Sequence, residues 1–367
     1  MNFKATVLHE TGAPLTVEDV KISGLKPGDV LVRVYASGLC HTDLEVIEGS
    51  LPYPLPITLG HEGAGVVESV GPGVERVAVG DHVVCSWNPN CGHCYYCDRD
   101  QPILCEPFSA NQPLGRLPDG GGRLSLADGG ALHHFSVVSS HAQYCVVPES
   151  GAIVVPEEIP FDRACLIGCG VMTGVGAALN VAQVQPGESV LVIGCGAVGL
   201  NAIQGAVLGG AEQILACDIE ASKRSMGQVF GATEVFSPDE AAERTMAATG
   251  GRGADHVIEA AGIVQTLQPS LDLVRSGGNV VLLGKTNSNA TLHVRWGSLM
   301  GEKRIVRSSY GNARPRRDFP MLARLYLAGR LNLDDLISRR LELDEINEGF
   351  DSMRIGDGVR SVVMMQH

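Results

Sequence analysis

The chain has no run of about eighteen uncharged apolar residues, the length that spans a bilayer, so no segment is expected to enter a membrane. Met1 to Glu10 already reads as a polar-punctuated strand rather than the apolar core of a secretory leader, and the cytoplasm is the expected compartment. Positive charge is in short supply too. Twenty-eight Lys and Arg against 41 Asp and Glu leave a net charge of −13, which argues against a nucleic-acid partner, because that affinity rests on clustered cations. The nearest approach to a basic patch, Arg314-Pro315-Arg316-Arg317, reads as a solvated turn rather than an anion site. Internal repeats and low-complexity segments are missing as well.

What is present fits a folded globular protein. Hydrophobic residues make up 44% and charged residues 19% of the chain, enough apolar surface to offset the entropy of ordering. At 367 residues the chain exceeds what one core usually supports, so two domains are expected. Its eleven cysteines are an odd count in a chain too large to need stapling, and they suit metal ligation and buried thiols better than a disulfide frame. Four of them stand as Cys91-x2-Cys94-x2-Cys97-x7-Cys105. Thiolates spaced by two residues can turn back on one ion, and four make the closed tetrahedral shell of a structural zinc.

The first 150 or so residues are short strand patterns broken by Gly and Pro, among them 29–35, 65–71 and 81–85. From about residue 170 the texture changes to continuous apolar runs, 189–193, 213–218, 256–260 and 279–284, separated by helical stretches. That pattern indicates a parallel sheet covered on both faces. The tail after about residue 310 returns to short helices and a last strand, 359–365, expected to rejoin the N-terminal domain.

Gly194-Cys195-Gly196-Ala197-Val198-Gly199 directly follows the apolar run ending at Ile193 and opens a helix. The next run ends in Asp218, at the distance where a carboxylate can accept hydrogen bonds from an adenosine ribose. Glycines let the backbone approach a pyrophosphate, and the helix N-terminus offers N–H groups to its charge. Gly194, Gly196, Val198, Gly199 and Asp218 are therefore candidate dinucleotide-binding residues, with Lys223 placed to reach the ribose hydroxyls. Asp218 would repel a 2′-phosphate, which favours NAD over NADP.

A third group comprises Cys40-His41-Thr42-Asp43, Gly60-His61-Glu62-Gly63 and Cys169 in Gly168-Cys169-Gly170. Cys40, His61 and Cys169 offer three zinc ligands and leave a fourth position open, the arrangement of a catalytic zinc. Cys165 is the rival for Cys169. The glycines flanking Cys169, which permit an exposed turn, favour Cys169. Cys85, Cys145, Cys165, Cys195 and Cys217 read as buried thiols.

In these motifs and their order the chain resembles the zinc-dependent medium-chain alcohol dehydrogenases of the medium-chain dehydrogenase/reductase superfamily. The match runs nearly end to end, through 38–43, 60–65, the four-cysteine lobe, 167–170, 194–199 and Gly358-Val359-Arg360. The resemblance implies an α/β protein in which a β-rich GroES-like catalytic domain, residues 1–168 and 310–367 with a zinc lobe at about 88–110, accompanies a Rossmann doubly wound coenzyme domain at 169–309. It implies two zinc ions per chain, one catalytic on Cys40, His61 and Cys169, one structural on Cys91, Cys94, Cys97 and Cys105. Glu62 would sit behind the catalytic ion and exchange into its coordination. Asp43 would orient the ligand histidine, and Thr42 would take the alcohol's proton. His41 and Arg360 match pyrophosphate contacts, and Thr173 lies at a position beside the nicotinamide.

The implied reaction is hydride transfer between NAD and a primary alcohol or aldehyde. The implied pocket wall is Leu51, Trp87, Ala110 and Phe135, suited to hydrophobic or aryl alcohols, and Lys285 stands where relatives carry an apolar residue near the substrate. Leu51 and Ser109 replace the acidic residue and arginine usual in oxidisers of S-hydroxymethylglutathione, and Glu45 replaces the histidine that finishes the proton relay in many relatives. A mycothiol- or glutathione-linked formaldehyde dehydrogenase, an NAD-retaining dismutase and a non-catalytic nucleotide-binding protein stay open as alternatives. The Gly- and Asp-rich segment from about Leu117 to His134 resembles an insertion of dimeric relatives, so a homodimer is expected.

Overall fold

The computed structural model describes every residue except Ser288. The chain divides into two compact units, Met1–Cys169 with Arg314–His367, and Gly170–Ala313.

In the first unit the ten-residue strand Asp29–Gly38 is the spine, extending past the predicted end at residue 35. Its Val30, Val32 and Val34 point into one core with Leu39, Leu59 and Val67. Antiparallel partners flank it: Glu62–Val70 on one side, Tyr144–Pro148 and the C-terminal strand Arg360–Met364 on the other segments of its length. His82–Cys85 and Ala152–Val154 extend the sheet beyond Glu62–Val70, and Ile337–Leu341 extends it beyond Arg360–Met364. The last strand thus pairs with the N-terminal spine, setting Val362 opposite Gly38. The register also sets Gly38 opposite Glu62 and Ser37 opposite Gly63.

A second sheet, Asn2–Val7, Thr16–Ile22 and Leu124–Leu126, is tied to the spine by a buried ion pair. Arg123 donates from Nε and Nη2 to the two carboxylate oxygens of Asp29 at 2.6 and 3.0 Å. A bidentate pair of this kind offsets desolvation only when both oxygens are used, as here. Asp119 takes a further bond from the same guanidinium at 2.9 Å, which anchors the 117–134 segment. Arg314, expected in a solvated turn, instead caps the helix Pro315–Leu327 and pairs with Asp100 of the cysteine lobe at 3.0 Å.

The second unit holds six parallel strands in the order Glu234–Phe236, Gln213–Cys217, Ser189–Ile193, Ala254–Glu259, Val274–Leu282, Arg304–Arg307. The chain starts at Ser189–Ile193, builds outward on one side, then returns to build on the other, so the switch point lies at the first strand. All five residues of Ser189–Ile193 are buried, as the continuous apolar run predicts. The helical run Phe161–Ala182 is apolar because most of it is buried. Twice it widens into a π-turn, at Ile167–Val171 and Ala177–Ala182.

His134 is buried in the first unit, where its Nε2 accepts the backbone N–H of Arg123 at 2.9 Å. Burial, reinforced by the Arg123 charge, pushes its pKa from 6.5 down to about 3. The folded state therefore holds it neutral, and its contribution to stability is complete above about pH 6.5 and is lost as pH falls from there toward 3. Between pH 7 and 5 the His134 share should cost about 2 kcal/mol of unfolding free energy. His134→Gln keeps an acceptor that does not titrate, and denaturant unfolding at the two pH values should show that share of the slope removed.

Candidate metal and dinucleotide sites

Cys40 follows the spine strand and caps the helix His41–Ile47, while His61 immediately precedes, and Glu62 opens, the strand beside it. Cys169 arrives from the π-turn Ile167–Val171. One donor atom from each of Cys40, His61, Glu62 and Cys169 lies within 4.8 Å of all the others. The chain around Cys169 is helical, not the exposed turn its glycines suggested. The wider π-turn accommodates an extra residue and turns the Cys169 thiol toward the cluster. Cys165, one turn earlier, is fully buried and donates its thiol to the Asp162 carbonyl.

Asp43 fixes this geometry. Fully buried, it accepts the Cys40 N–H on Oδ2 at 3.1 Å, and on Oδ1 the Gly60 N–H at 3.0 Å and His61 Nδ1–H at 3.3 Å. With Nδ1 committed to Asp43, His61 presents Nε2 as its free ligand atom, the relation seen for metal-ligating histidines in general. A hydrogen bond shared with the Cys169 thiol, together with the Arg360 charge, overcomes burial to hold Cys40 well below the ordinary thiol range, and the same shared bond with burial pushes Cys169 well above it. Burial alone would depress His61, but Asp43 and Cys40 lift it well above its usual value. Two sulfurs and a histidine competing for protons in a dry pocket form a donor set that suits a zinc ion.

Glu62 contributes a carboxylate oxygen to the cluster. Burial pushes its pKa up to about 7 against the pull of Arg360, whose Nη2 is 3.2 Å from Oε1. Arg360 is itself 7% exposed and donates Nη1 to the Leu39 carbonyl at 2.8 Å. Its guanidinium pairs with Glu62. His41 is exposed in the first turn of its helix, Thr42 Oγ1 is 3.9 Å from Cys40 Sγ, and Thr173 is half-buried in the second unit.

The second cluster is Cys91, Cys94, Cys97 and Cys105, whose sulfurs also lie within 4.8 Å of one another. Backbone N–H groups near Glu106 and Cys97 hold Cys94 down to about 6, while burial pushes Cys105 up to about 12. The Cys91 N–H points at Cys105 Sγ at 3.3 Å. Four sulfurs so arranged fit a closed tetrahedral zinc.

In the second unit each loop glycine has a separate steric role. Gly194 has φ +96°, and a Cβ there would lie 2.8 Å from Ala261 N; a Cβ on Gly199 would lie 1.8 Å from the Gly194 carbonyl. A Cβ on Gly196 would meet nothing within 4 Å, so that side of the loop is open. Val198 is half-buried in the first turn of the helix Ala197–Gly209. Asp218 accepts the Cys195 N–H at 2.7 Å and the Glu220 N–H at 2.9 Å, one on each oxygen. Lys223 is half-buried on the next helix. Arg224, which sequence reasoning passed over, braces that corner by donating to the carbonyls of Asp218 and Ile219.

Of the expected pocket residues, Leu51 and Trp87 pack against one apolar cluster of the first unit that contains Phe135. Phe135 is completely buried and lies edge-to-face on His61, with ring centres 5.5 Å apart. Ala110 is exposed. Lys285, in the second unit, lines a hollow of about 260 Å³ with Glu259, Gly284 and Arg307. The 38–43 motif includes Gly38 but does not show why glycine is needed there: a Cβ would lie 2.2 Å from Glu62 Oε2. Only a register placing the two opposite each other exposes that constraint. Gly38→Ala should therefore displace the Glu62 carboxylate or the strand, cost about 1–3 kcal/mol of stability, and lower zinc content at the first cluster, read by thermal melting and elemental analysis.

Residues 26–157 match the family described as Alcohol dehydrogenase GroES-like domain, and residues 197–328 match Zinc-binding dehydrogenase. The chain is 39% identical to the NDMA-dependent alcohol dehydrogenase of Amycolatopsis methanolica, with 99% of each chain covered. It is 37% identical to the S-(hydroxymethyl)glutathione dehydrogenase of Paracoccus denitrificans, covering 99% of this chain and 100% of that one. The crystal structure of benzyl alcohol dehydrogenase from Acinetobacter calcoaceticus is similar over 100% of both chains, with a TM-score of 0.94 and 32% identity. Two metal-donor clusters, a glycine loop at the switch point of a parallel sheet and this end-to-end similarity make the chain a member of the zinc-dependent medium-chain alcohol dehydrogenase family.

Proposed function

We propose that this protein moves a hydride between NAD and a primary alcohol or aldehyde, using one catalytic and one structural zinc. The observation that carries the proposal is the convergence of Cys40, His61 and Cys169 within 4.8 Å, with Asp43 holding the far nitrogen of His61. A zinc ion there supplies a Lewis acid that lowers the pKa of a hydroxyl offered to it. Thr42 Oγ1, beside the Cys40 sulfur, takes up the substrate proton and passes it toward solvent. Glu62, paired with Arg360, sits behind the ion and exchanges into its coordination. The four lobe cysteines hold the structural ion.

For the cofactor, the open side of Gly196 leaves room for a pyrophosphate at the start of the helix Ala197–Gly209. Each Asp218 oxygen accepts one backbone N–H and keeps a lone pair for a ribose hydroxyl. In this reading Lys223 serves the same hydroxyls, His41 and Arg360 the pyrophosphate, and Thr173 the nicotinamide. Hydrophobic or aryl alcohols suit the apolar set Leu51, Trp87 and Phe135, and the benzyl alcohol dehydrogenase similarity supports that choice. The NDMA-dependent and S-(hydroxymethyl)glutathione relatives favour a second reading, in which a thiol adduct of formaldehyde is oxidised or NAD stays bound and cycles in dismutation. Leu51 and Ser109 weigh against the glutathione form.

A cytoplasmic homodimer belongs to the same reading. Its support is the outer strand Arg304–Arg307, exposed at all four residues, the exposure of Trp296 and Met300 in the segment leading to it, and eleven cysteines present as free thiols.

Following NADH absorbance across aliphatic, aryl and formaldehyde–thiol substrates tests the activity. Cys40→Ser and His61→Ala should each lower turnover at least about 1,000-fold while NAD still binds, since the Lewis acid contributes several kcal/mol; unchanged turnover would sink the proposal. Asp218→Gly should raise the ratio of NADP to NAD efficiency by about tenfold or more, through loss of repulsion toward the 2′-phosphate. A parent enzyme that already prefers NADP contradicts the ribose argument.

A further inference from the structure

His141 is a fully buried histidine beside the first metal cluster for which the proposed mechanism has no use, and like His61 it faces Oδ1 of Asp43. Its Nε2 is 3.8 Å from Asp43 Oδ1, and both side chains have no exposed surface. Its Nδ1 is 3.0 Å from Ser37 Oγ, which is in turn 2.7 Å from Ser140 Oγ.

Packing leaves the imidazole little freedom. The His141 N–H donates to the Leu59 carbonyl at 3.0 Å, and its own carbonyl accepts from Thr6 N–H at 2.9 Å. Gly60, the residue before His61, has φ +93°, and a Cβ there would lie 2.4 Å from His141 N and 2.7 Å from Nδ1. The ring is therefore wedged under the turn that delivers His61. Phe350 meets it edge-to-face, with ring centres 6.1 Å apart.

The tautomer follows from electrostatics. Were Nδ1 to carry the proton, Nε2 would be a bare acceptor aimed at a carboxylate oxygen, with two sets of lone pairs facing each other in a dry pocket. If Ser37 donates to Nδ1 instead, Nε2 carries the proton and directs it at Asp43. Nε2 has no hydrogen-bond partner among the described residues, and closing 3.8 Å to a hydrogen bond of about 3 Å needs a shift of roughly 0.8 Å.

We propose that His141 is a positioning residue for the metal site, its Nε2–H steadying the Asp43 carboxylate that orients His61. The inference rests on Cys40, His61 and Cys169 being zinc ligands. Ser37 belongs to the same device, because its hydroxyl selects the tautomer. Partners of a ligand histidine generally change metal affinity 10- to 100-fold, and a residue acting through that partner falls at the lower end.

The test is zinc release from the intact, zinc-loaded protein to a chromogenic chelator, in which the lobe zinc serves as an internal reference. His141→Phe should release one zinc about tenfold faster than the parent and leave the other at the parent rate. His141→Gln, whose side-chain N–H can reach the same place, should return the fast phase to within about twofold of the parent. Ser37→Ala should accelerate the same phase about threefold, and it serves where the phenylalanine variant does not fold. Two zincs leaving His141→Phe, or Ser37→Ala where that variant is used, at the parent rates would overturn the proposal, as would a glutamine variant as fast as the phenylalanine one. A parent that releases a single zinc would overturn the metal-site reading itself, and this inference with it.

Discussion

Everything at the first cluster depends on one buried carboxylate. Asp43 gathers the N–H groups of Cys40 and Gly60 and the Nδ1–H of His61, so it ties the start of a helix to the loop that enters the neighbouring strand. A carboxyl group with no exposed surface is tolerable when it is well hydrogen-bonded, and here the donors include the backbone of Cys40 and Gly60 and the ring of His61. Cys40 and His61 stand 21 residues apart in sequence, and the common acceptor brings their donor atoms onto one point.

The sheet provides the rest. With Gly38 opposite Glu62, the carboxylate of Glu62 fits where a side chain would otherwise stand, and Arg360, delivered by the last strand on the other side of the spine, closes on it. Residues from positions 38, 62 and 360 therefore meet through strand pairing, not through any local motif. The dinucleotide loop follows the same logic in the second unit, where the strand Ser189–Ile193 at the switch point of a parallel sheet runs into a turn whose positive φ at Gly194 favours glycine and which exposes Gly196.

How much of this could be read from the residues alone depended on distance along the chain. The cysteine lobe, the glycine loop with Asp218, and the fold class were legible because each is written within two dozen residues or in the alternation of apolar runs. The two-residue spacing of thiols and the glycines after a strand are local chemistry. The pairing of Arg360 with Glu62, the space required at Gly38 and the place of His141 were not legible, because each is set by which strand lies beside which. The helical course around Cys169 was misread for a related reason: flanking glycines signal freedom, whereas burial of the whole Phe161–Ala182 run favoured a helix with a π-turn. Arg314 was misread because its partner, Asp100, lies 214 residues away.

The central claim is that a zinc ion sits among Cys40, His61 and Cys169 with one position left for substrate. The most direct measurement is anomalous diffraction at the zinc edge from crystals grown with zinc present. The account predicts two peaks per chain, one within the lobe and one at about 2.3 Å from the sulfurs of Cys40 and Cys169 and about 2.0–2.1 Å from His61 Nε2. A peak in the lobe alone, or a first site closed permanently by a fourth side chain, would contradict it.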